Sequence, residues 1–432
     1  MAAHTASEAY RSEQQYLDIV ARRCVLPEGF RSATGSLSFT PGERPTAEPY
    51  SMNLALFLAE EPMSAYAGVF TRNAVAGAPV QLARERMDGS PISGVLVNNR
   101  IANVCSLSGM ADARRLTEAL GRQLGRPAEE LLSVSTGIIG WSLPTEAMIE
   151  AFPGLSGQLR DGDALAAARA IMTTDSFPKA RSVRLGEGSM LGIAKGAGMV
   201  EPNMATMLVF LFTDVSVEPA MLQSLLSRVS ERTFNRITID GDQSTSDMAL
   251  AFSSARKPAV DAAELEEALV EVCGRLADDI VRNGEGTAHV MRVHVSGMER
   301  EAEATGMAKA VANSPLVKTA IYGNDPNVGR IIAAIGDYAG NHGLRIDTER
   351  ITVYLGRETV FADGAFRLDR EKEVRLSDYV KSTAMNPRVR GYPQHDRCVD
   401  IHIDFALGNE ASTVLGSDLS DEYVHENADY RS

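Results

Sequence analysis

Thr206 occupies a position from which a hydroxyl can attack a carbonyl carbon. It closes the stretch Lys195-Gly196-Ala197-Gly198-Met199-Val200-Glu201-Pro202-Asn203-Met204-Ala205-Thr206, and the apolar run 207–212 follows at once. Glycine opens backbone conformations closed to other residues, and a short apolar run after such a loop reads as a strand buried on both faces. A hydroxyl between a sharply bending loop and a rigid strand is well placed for nucleophilic attack, including attack on the carbonyl of Ala205 just before it. Threonine is equally an ordinary strand residue, so the position alone leaves both readings open. Ser135-Thr136-Gly137 offers a hydroxyl and a backbone N–H as an oxyanion hole, or simply turn composition. Glu285, within Asn283-Gly284-Glu285-Gly286-Thr287, reads by itself as an exposed turn acid.

Other chemistries find no support. The sequence has no GxxxxGK(S/T) phosphate loop, no HExxH and no GxSxG elbow. Gly196-Ala197-Gly198 lacks the third glycine of a dinucleotide fingerprint, so no cofactor is expected there. The acidic stretch 240–247 hints at calcium, but counted from Asp240 the sixth position is Thr245 and the twelfth Ala251, where a calcium loop needs Gly and Glu. Ser244-x-x-Asp247 reads instead as a turn followed by a helix cap. The seven histidines are scattered, which argues against both a metal site and a His-based triad. The four cysteines (Cys24, Cys105, Cys273, Cys398) show no CxxC spacing, so reduced thiols and a cytoplasmic setting are expected. A net charge of -14 argues against nucleic-acid or anionic-membrane partners. The opening residues lack a basic segment followed by an apolar one, so no secretory signal is expected. The apolar runs are too short to span a membrane.

The elements that must hold these groups follow from periodicity and breakers. Residues 1–23 read as a polar extension with a helical stretch at 14–23. Strand-like composition begins at Leu26; the breaker-rich loop 40–46 separates it from the apolar run 54–58, and 67–70, 94–97 and 131–134 read as further strands. Leu116, Leu120 and Leu124 recur at the helical period within 112–124, and 163–172 is an alanine-rich helix stopping at Thr173-Thr174-Asp175. Beyond the central stretch, helices are expected at 218–233, 303–312, 371–381 and 262–282, the last ended by Asn283-Gly284 as a glycine cap. Strands are expected at 236–240, 290–295, 317–322, 350–355 and 398–404. The mixture is α/β without clean βαβ alternation, which disfavours a simple doubly wound sheet.

Several blocks together match one family. Lys-Gly-Ala-Gly-Met at 195–199, Pro-Asn-Met-Ala-Thr-Met-Leu at 202–208, Phe-Asn-Arg-Ile-Thr-Ile-Asp-Gly-Asp at 234–242, Ala-Asn-Ser-Pro-Leu-Val-Lys-Thr-Ala at 312–320 and Asn-Ala-Asp-Tyr-Arg-Ser at 427–432 closely resemble the ornithine acetyltransferase (glutamate N-acetyltransferase, ArgJ) family. Ser-Thr-Gly-Ile-Ile-Gly at 135–140 and Ile-Met-Thr-Thr-Asp at 171–175 fit the same pattern, and the likeness covers roughly 26–432. The resemblance implies a layered α-β-β-α sandwich of mixed sheets with a smaller C-terminal α/β lobe around 295–400. It implies self-cleavage before Thr206, giving an α chain over 24–205 and a β chain over 206–432, associated as α2β2 or larger. The freed α-amine of Thr206, with a pKa of about 7.7–8.0, would serve as its own general base. Thr206 would then take an acetyl group from N-acetylornithine or a similar N-acetyl amino acid and pass it to glutamate or a similar amine, without a cofactor or metal. Thr136 and Gly137 would hold the oxyanion, and Thr173, Lys195, Thr206, Glu285, Asn427 and Ser432 would contact substrate. A lysine suits a carboxylate and a glutamate suits an ammonium.

The sequence also departs from the family pattern. Where the family usually has Val-Asn-Ser-Gly-Asn-Ala-Asn-Ala-Cys, this chain has Val97-Asn98-Asn99-Arg100-Ile101-Ala102-Asn103-Val104-Cys105. Val328 replaces a tryptophan, Gln243 and Met248 replace more usual residues, and 32–50 match poorly. These departures leave room for a different amino substrate, as in secondary metabolism. A self-cleaving amidohydrolase or aminopeptidase of the same fold and an uncleaved binding protein are the competing readings.

Overall fold

The computed structural model describes residues 8–201 and 207–428. Ala205, Thr206 and Ser432 lie outside the described residues. The first stretch comprises α1 (Glu13–Arg23), β1 (Phe30–Phe39), β2 (Tyr50–Met63), β3 (Tyr66–Phe70), α2 (Ala78–Arg86), β4 (Ile92–Asn98), α3 (Gly109–Leu124) and β5 (Leu131–Ser135). Next come α4 (Thr145–Ser156), β6 (Arg160–Asp161), α5 (Leu165–Ala170), β7 (Lys179–Leu185) and β8 (Gly188–Lys195). After the glycine-rich stretch follow β9 (Leu208–Val215), α6 (Pro219–Arg232), β10 (Ile237–Thr238), β11 (Met248–Lys257), α7 (Ala262–Arg282) and β12 (Val290–Met298). The remainder holds α8 (Glu301–Asn313), α9 (Pro315–Tyr322), α10 (Val328–Asn341), β13 (Thr352–Leu355), β14 (Glu358–Ala362), β15 (Ala365–Phe366) and α11 (Arg370–Ser382). It ends with β16 (Val399–Asp404), β17 (Glu410–Ser417) and α12 (Asp421–Ala428).

Two five-stranded mixed sheets, β5-β4-β2-β1-β6 and β3-β11-β9-β8-β7, lie face to face. Phe57, Val95 and Val97 of the first meet Leu191, Phe210, Phe212 and Phe252 of the second in one core, with the Phe57 and Phe212 rings 5.0 Å apart. Helices α3 and α4 cover the outer face of the first sheet through Leu116, Leu120, Met148 and Phe152. Helices α6 and α7 cover the second through Leu222, Leu226, Leu269, Val272 and Leu276. This is the expected α-β-β-α sandwich. Strand β9, the run read as doubly buried, is buried at every position because both of its faces are covered. A seven-stranded mixed sheet, β10-β17-β12-β16-β13-β14-β15, forms the smaller lobe with α8, α9, α10 and α11, and its strands run in sequence from β10 to β17, beyond 295–400.

The second sheet is built from both sides of the central stretch. Strands β3, β7 and β8 precede residue 202, whereas β9 and β11 follow residue 206. Antiparallel pairing of β8 with β9 runs from Met190 opposite Thr213 to Lys195 opposite Leu208.

Four expectations are corrected. Residues 317–322 are helix α9, because the Ser314 hydroxyl accepts from Val317 N and Pro315 fits the first turn. The strand expected at 236–240 shrinks to Ile237–Thr238, since 234–236 close as a 3-10 turn. Helix α7 ends at Asn283 with φ -90°, not on a left-handed glycine. Residues 244–247 form a turn in which Ser246 N donates to Ser244 Oγ at 3.1 Å, but strand β11, not a helix, follows. Within the stretch read as a polar extension, the described part is docked: Tyr16 and Val20 of α1 are buried, and Tyr16 donates its hydroxyl to Pro178 O at 2.8 Å.

Candidate active site

A cavity of about 260 Å³ opens where the two facing sheets, α7 and the C-terminal helix converge. Thr136 and Gly137 enter it from the end of β5, Thr173 and Thr174 from the loop after α5, and Lys195 from the end of β8. Gly198 and Met199 come from the glycine turn, Glu285 from the loop after α7 and Asn427 from α12. Ile138, Ile139 and Ser244 complete the lining. Six residues scattered over 136–427 in the sequence, Thr136, Gly137, Thr173, Lys195, Glu285 and Asn427, are thus brought together. The strand β9 starts beside them, with Leu208 paired to Lys195. The proposed nucleophile Thr206 and substrate contact Ser432 are outside the described residues.

Buried Lys195 donates its ammonium to Thr136 Oγ1 at 3.1 Å. An ammonium has no acceptor, so the threonine oxygen accepts and its own proton remains to donate into the cavity. Thr136 N and Ile138 N are spent on Asn98 O and Arg100 O, and among the described residues Gly137 N has no such partner. Gly137 takes φ 129°, and a Cβ there would lie 2.2 Å from the Arg100 carbonyl carbon. Only glycine fits the turn that presents this N–H. The pair therefore has the two donors an oxyanion hole requires.

Glu285 lines the same cavity. Burial pushes its carboxyl above the ordinary range, against hydrogen bonds from the Thr174 hydroxyl and from Asn427 Nδ2, the latter at 2.7 Å. The close approach demands Gly198, whose Cβ would fall 2.3 Å from Glu285 Oε2. A buried lysine and a buried glutamate on one cavity suit a zwitterionic or doubly charged amino acid.

Two carboxylates that the sequence reading did not assign to the site hold the glycine turn from both ends. Asp175 accepts from Gly196 N at 2.8 Å, Thr173 N at 3.0 Å and Lys179 Nζ at 2.5 Å, and both ionic side chains of that pair are fully buried. Burial alone would raise the Asp175 carboxyl, but the Lys179 and Lys195 charges and the Gly196 N–H outweigh it and hold it well below the carboxylate range. Asp240 accepts from Met199 N at 2.6 Å and Val200 N at 2.8 Å. The acidic stretch beginning at Asp240 was the available signal; its carboxylate caps backbone N–H groups. No group of three or more His, Cys, Asp or Glu side chains among the described residues is placed to hold a metal ion.

A family model described as the ArgJ family matches residues 43–432. The chain belongs to the ArgJ family. Glutamate N-acetyltransferase Oat2 of Streptomyces clavuligerus is 42% identical over 374 residues, 86% of this chain and 92% of that protein. Arginine biosynthesis bifunctional protein ArgJ of Nitratidesulfovibrio vulgaris is 40% identical over 416 residues, 94% of this chain and 99% of that protein. A crystal structure of ornithine acetyltransferase complexed with ornithine from Mycobacterium tuberculosis is 34% identical, covering 41% of this chain and 94% of that one, at a TM-score of 0.36.

The departures from the ArgJ pattern fall mostly on framework positions. Val328 is buried at the start of α10 and Met248 in the core between the facing sheets. Asn99 accepts from Asn53 N at 2.8 Å and donates to Met172 O at 2.9 Å, bracing the residue before Thr173. Arg100 sits at φ 71°, a conformation natural to the glycine usual in the family, and packs directly on Gly137.

Proposed function

We propose that this ArgJ-family chain cuts itself between Ala205 and Thr206 and that Thr206 then carries an acetyl group between two amino acids. In the first step Thr206 Oγ attacks the Ala205 carbonyl, the amide C–N bond breaks, and water hydrolyses the resulting ester to leave a free threonine α-amine. In transfer, Thr206 Oγ attacks the acetyl carbonyl of N-acetylornithine or a similar donor while its proton passes to the α-amine. Collapse expels the donor's amine, which takes that proton, and leaves an acetyl ester on Thr206. The amine of glutamate or a similar acceptor attacks the ester, restoring the hydroxyl and releasing the N-acetyl amino acid.

The observation that carries this reading is that Thr136, Gly137, Lys195 and Glu285 line one cavity, with β9 starting beside it where Leu208 pairs with Lys195. Thr136 and Gly137 N–H receive the oxyanion, Lys195 a substrate carboxylate and Glu285 a substrate ammonium, with Thr173 and Asn427 beside them. Thr206 and Ser432 complete the substrate contacts. We further propose that the cleaved pieces associate as α2β2 or larger in the cytoplasm, a reducing setting that fits four free cysteines.

Intact mass of the wild type and of Thr206→Ala tests the first step, with two fragments expected for the former and one full-length chain for the latter. Product analysis with N-acetylornithine and glutamate tests the second. Free acetate as the sole product at saturating acceptor would replace the transferase with a hydrolase, and an uncleaved wild type would overturn the mechanism at its start.

A further inference from the structure

Two walls of the cavity meet at Asp240. Its Oδ2 accepts from Met199 N at 2.6 Å and from the Tyr423 hydroxyl at 3.3 Å, and its Oδ1 accepts from Val200 N at 2.8 Å and Asp242 N at 3.2 Å. Met199 lines the cavity with a positive φ of 54°, a conformation its side chain does not favour and the capped N–H groups sustain. Tyr423 lies one helical turn before Asn427 on α12, and Asn427 Nδ2 reaches both Tyr423 O at 3.1 Å and Glu285 Oε2 at 2.7 Å.

Helix α12 buries none of its residues. Polar links hold it instead: Tyr322 to Asp421, Arg388 to Glu422 at 2.9 Å, Arg390 to Glu426, and Ser420 Oγ, which donates to Gly286 O at 2.6 Å and accepts from Tyr423 N at 3.1 Å. An element without apolar anchorage opens at low cost, so each inward-facing polar contact weighs on where Asn427 stands. Two of these reach the glycine turn: Asn427 through Glu285, whose N–H donates to Ala197 O at 2.8 Å, and Tyr423 through Asp240, the carboxylate that caps Met199 N and Val200 N.

We propose that Asp240 is a positioning residue that couples the glycine turn to α12, so that Met199 and the Asn427–Glu285 pair are set together around the bound amino acid. The kinetic part of this proposal rests on the transferase reading above. Asparagine cannot replace the carboxylate here: whichever side its NH₂ occupies, it meets the Met199 N–H or those of Val200 and Asp242, and one turn donor loses its acceptor. Tyr423→Phe removes the helix link and leaves the turn capped.

Steady-state kinetics of Asp240→Asn, Tyr423→Phe and the double variant test the coupling. The Tyr423→Phe enzyme should show KM raised about fivefold, as for one lost hydrogen bond, with kcat changed less. Asp240→Asn should raise KM at least as far, and the double variant should be little worse than Asp240→Asn alone, because the two act through one another. Effects that multiply, or an unchanged KM in Tyr423→Phe, overturn the proposal. Amide exchange measured by mass spectrometry needs no turnover: both single variants should exchange faster in 199–201 and in 421–428. Faster exchange confined to 421–428 in Tyr423→Phe overturns the coupling. An uncleaved, inactive wild type would instead defeat the transferase reading, and the exchange data would still decide whether Asp240 joins the two walls.

Discussion

Gly137 does two things that a residue with a side chain could not do at once: it takes φ 129° and it packs its Cα against the backbone of Arg100, which leaves its N–H for the cavity. An added methyl must move that N–H, so Gly137→Ala should lower acetyl transfer roughly 10²–10³-fold, the usual cost of one oxyanion donor. A folded variant with the wild-type rate would remove Gly137 from the site. Glu285 makes a different prediction. A carboxyl raised above its unfolded value binds its proton more readily in the folded state, so its stabilising contribution is present below the ordinary glutamate pKa of about 4.3 and lost as pH rises through the raised value. Glu285→Gln should therefore raise Tm at neutral pH, with the gain vanishing in acid, while turnover of a cationic donor falls. Tm curves of the two proteins that stay parallel across that range would contradict burial as the cause. Glu285 also marks the limit of local reading. Its neighbours Gly284 and Gly286 describe a turn, which is right, but the residue is only 8% exposed because α12 and the glycine turn close over it. Asp175 and Asp240 escaped for a related reason: the N–H groups of the glycine turn that they cap lie 21 and 40 or 41 residues away in sequence.

At the scale of elements, long periodic segments were legible and context-dependent ones were not. Helices α3, α7 and α11 and strands β9, β12 and β16 declare themselves by period or by continuous apolar character. Helix α9 did not, because Val317, Thr319 and Ile321 resemble a strand until the capping Ser314 and the adjoining Pro315 are weighed. The β7–β8 hairpin was missed because its ionic residues face inward: Arg181 pairs with Asp279 of α7 at 2.6 Å, as Lys179 pairs with Asp175. The N-terminal segment joins this network. Glu8 meets Arg23 and Arg181 at 3.0 Å each and Arg275 at 3.4 Å, and its N–H donates to Asp396 Oδ2 at 2.8 Å. Burial alone would raise the Glu8 carboxyl, yet Arg181, the Tyr10 hydroxyl and Arg23 bring it down to about 2. Its contribution is present above the unfolded value of about 4.3 and is lost as pH falls toward 2. Glu8→Gln should lower Tm at neutral pH by an amount that shrinks to nothing across that interval. Glu8 is half-buried and screened by solvent, so the difference should stay below about 1 kcal/mol. A variant whose Tm deficit persists unchanged in strong acid would show that Glu8 acts by shape and not by charge.

The whole molecule is tied across its own proposed cut. Pairing of β8 with β9 and of β3 with β11 joins strands from opposite sides of Ala205 and Thr206 within one sheet. The two pieces should therefore travel as one species under native conditions and separate only on a denaturing gel; pieces that part in native buffer would refute the shared sheet. Interleaving also changes what unfolding means for the mature protein. An uncut Thr206→Ala chain regains its structure in a first-order event, since every partner is tethered to it. The cut protein, once its pieces have drifted apart in urea, must find its other half by collision, so its recovery should rise with protein concentration while that of the uncut chain does not. Maturation would thus convert a reversible folder into one whose damage is hard to undo in dilute solution.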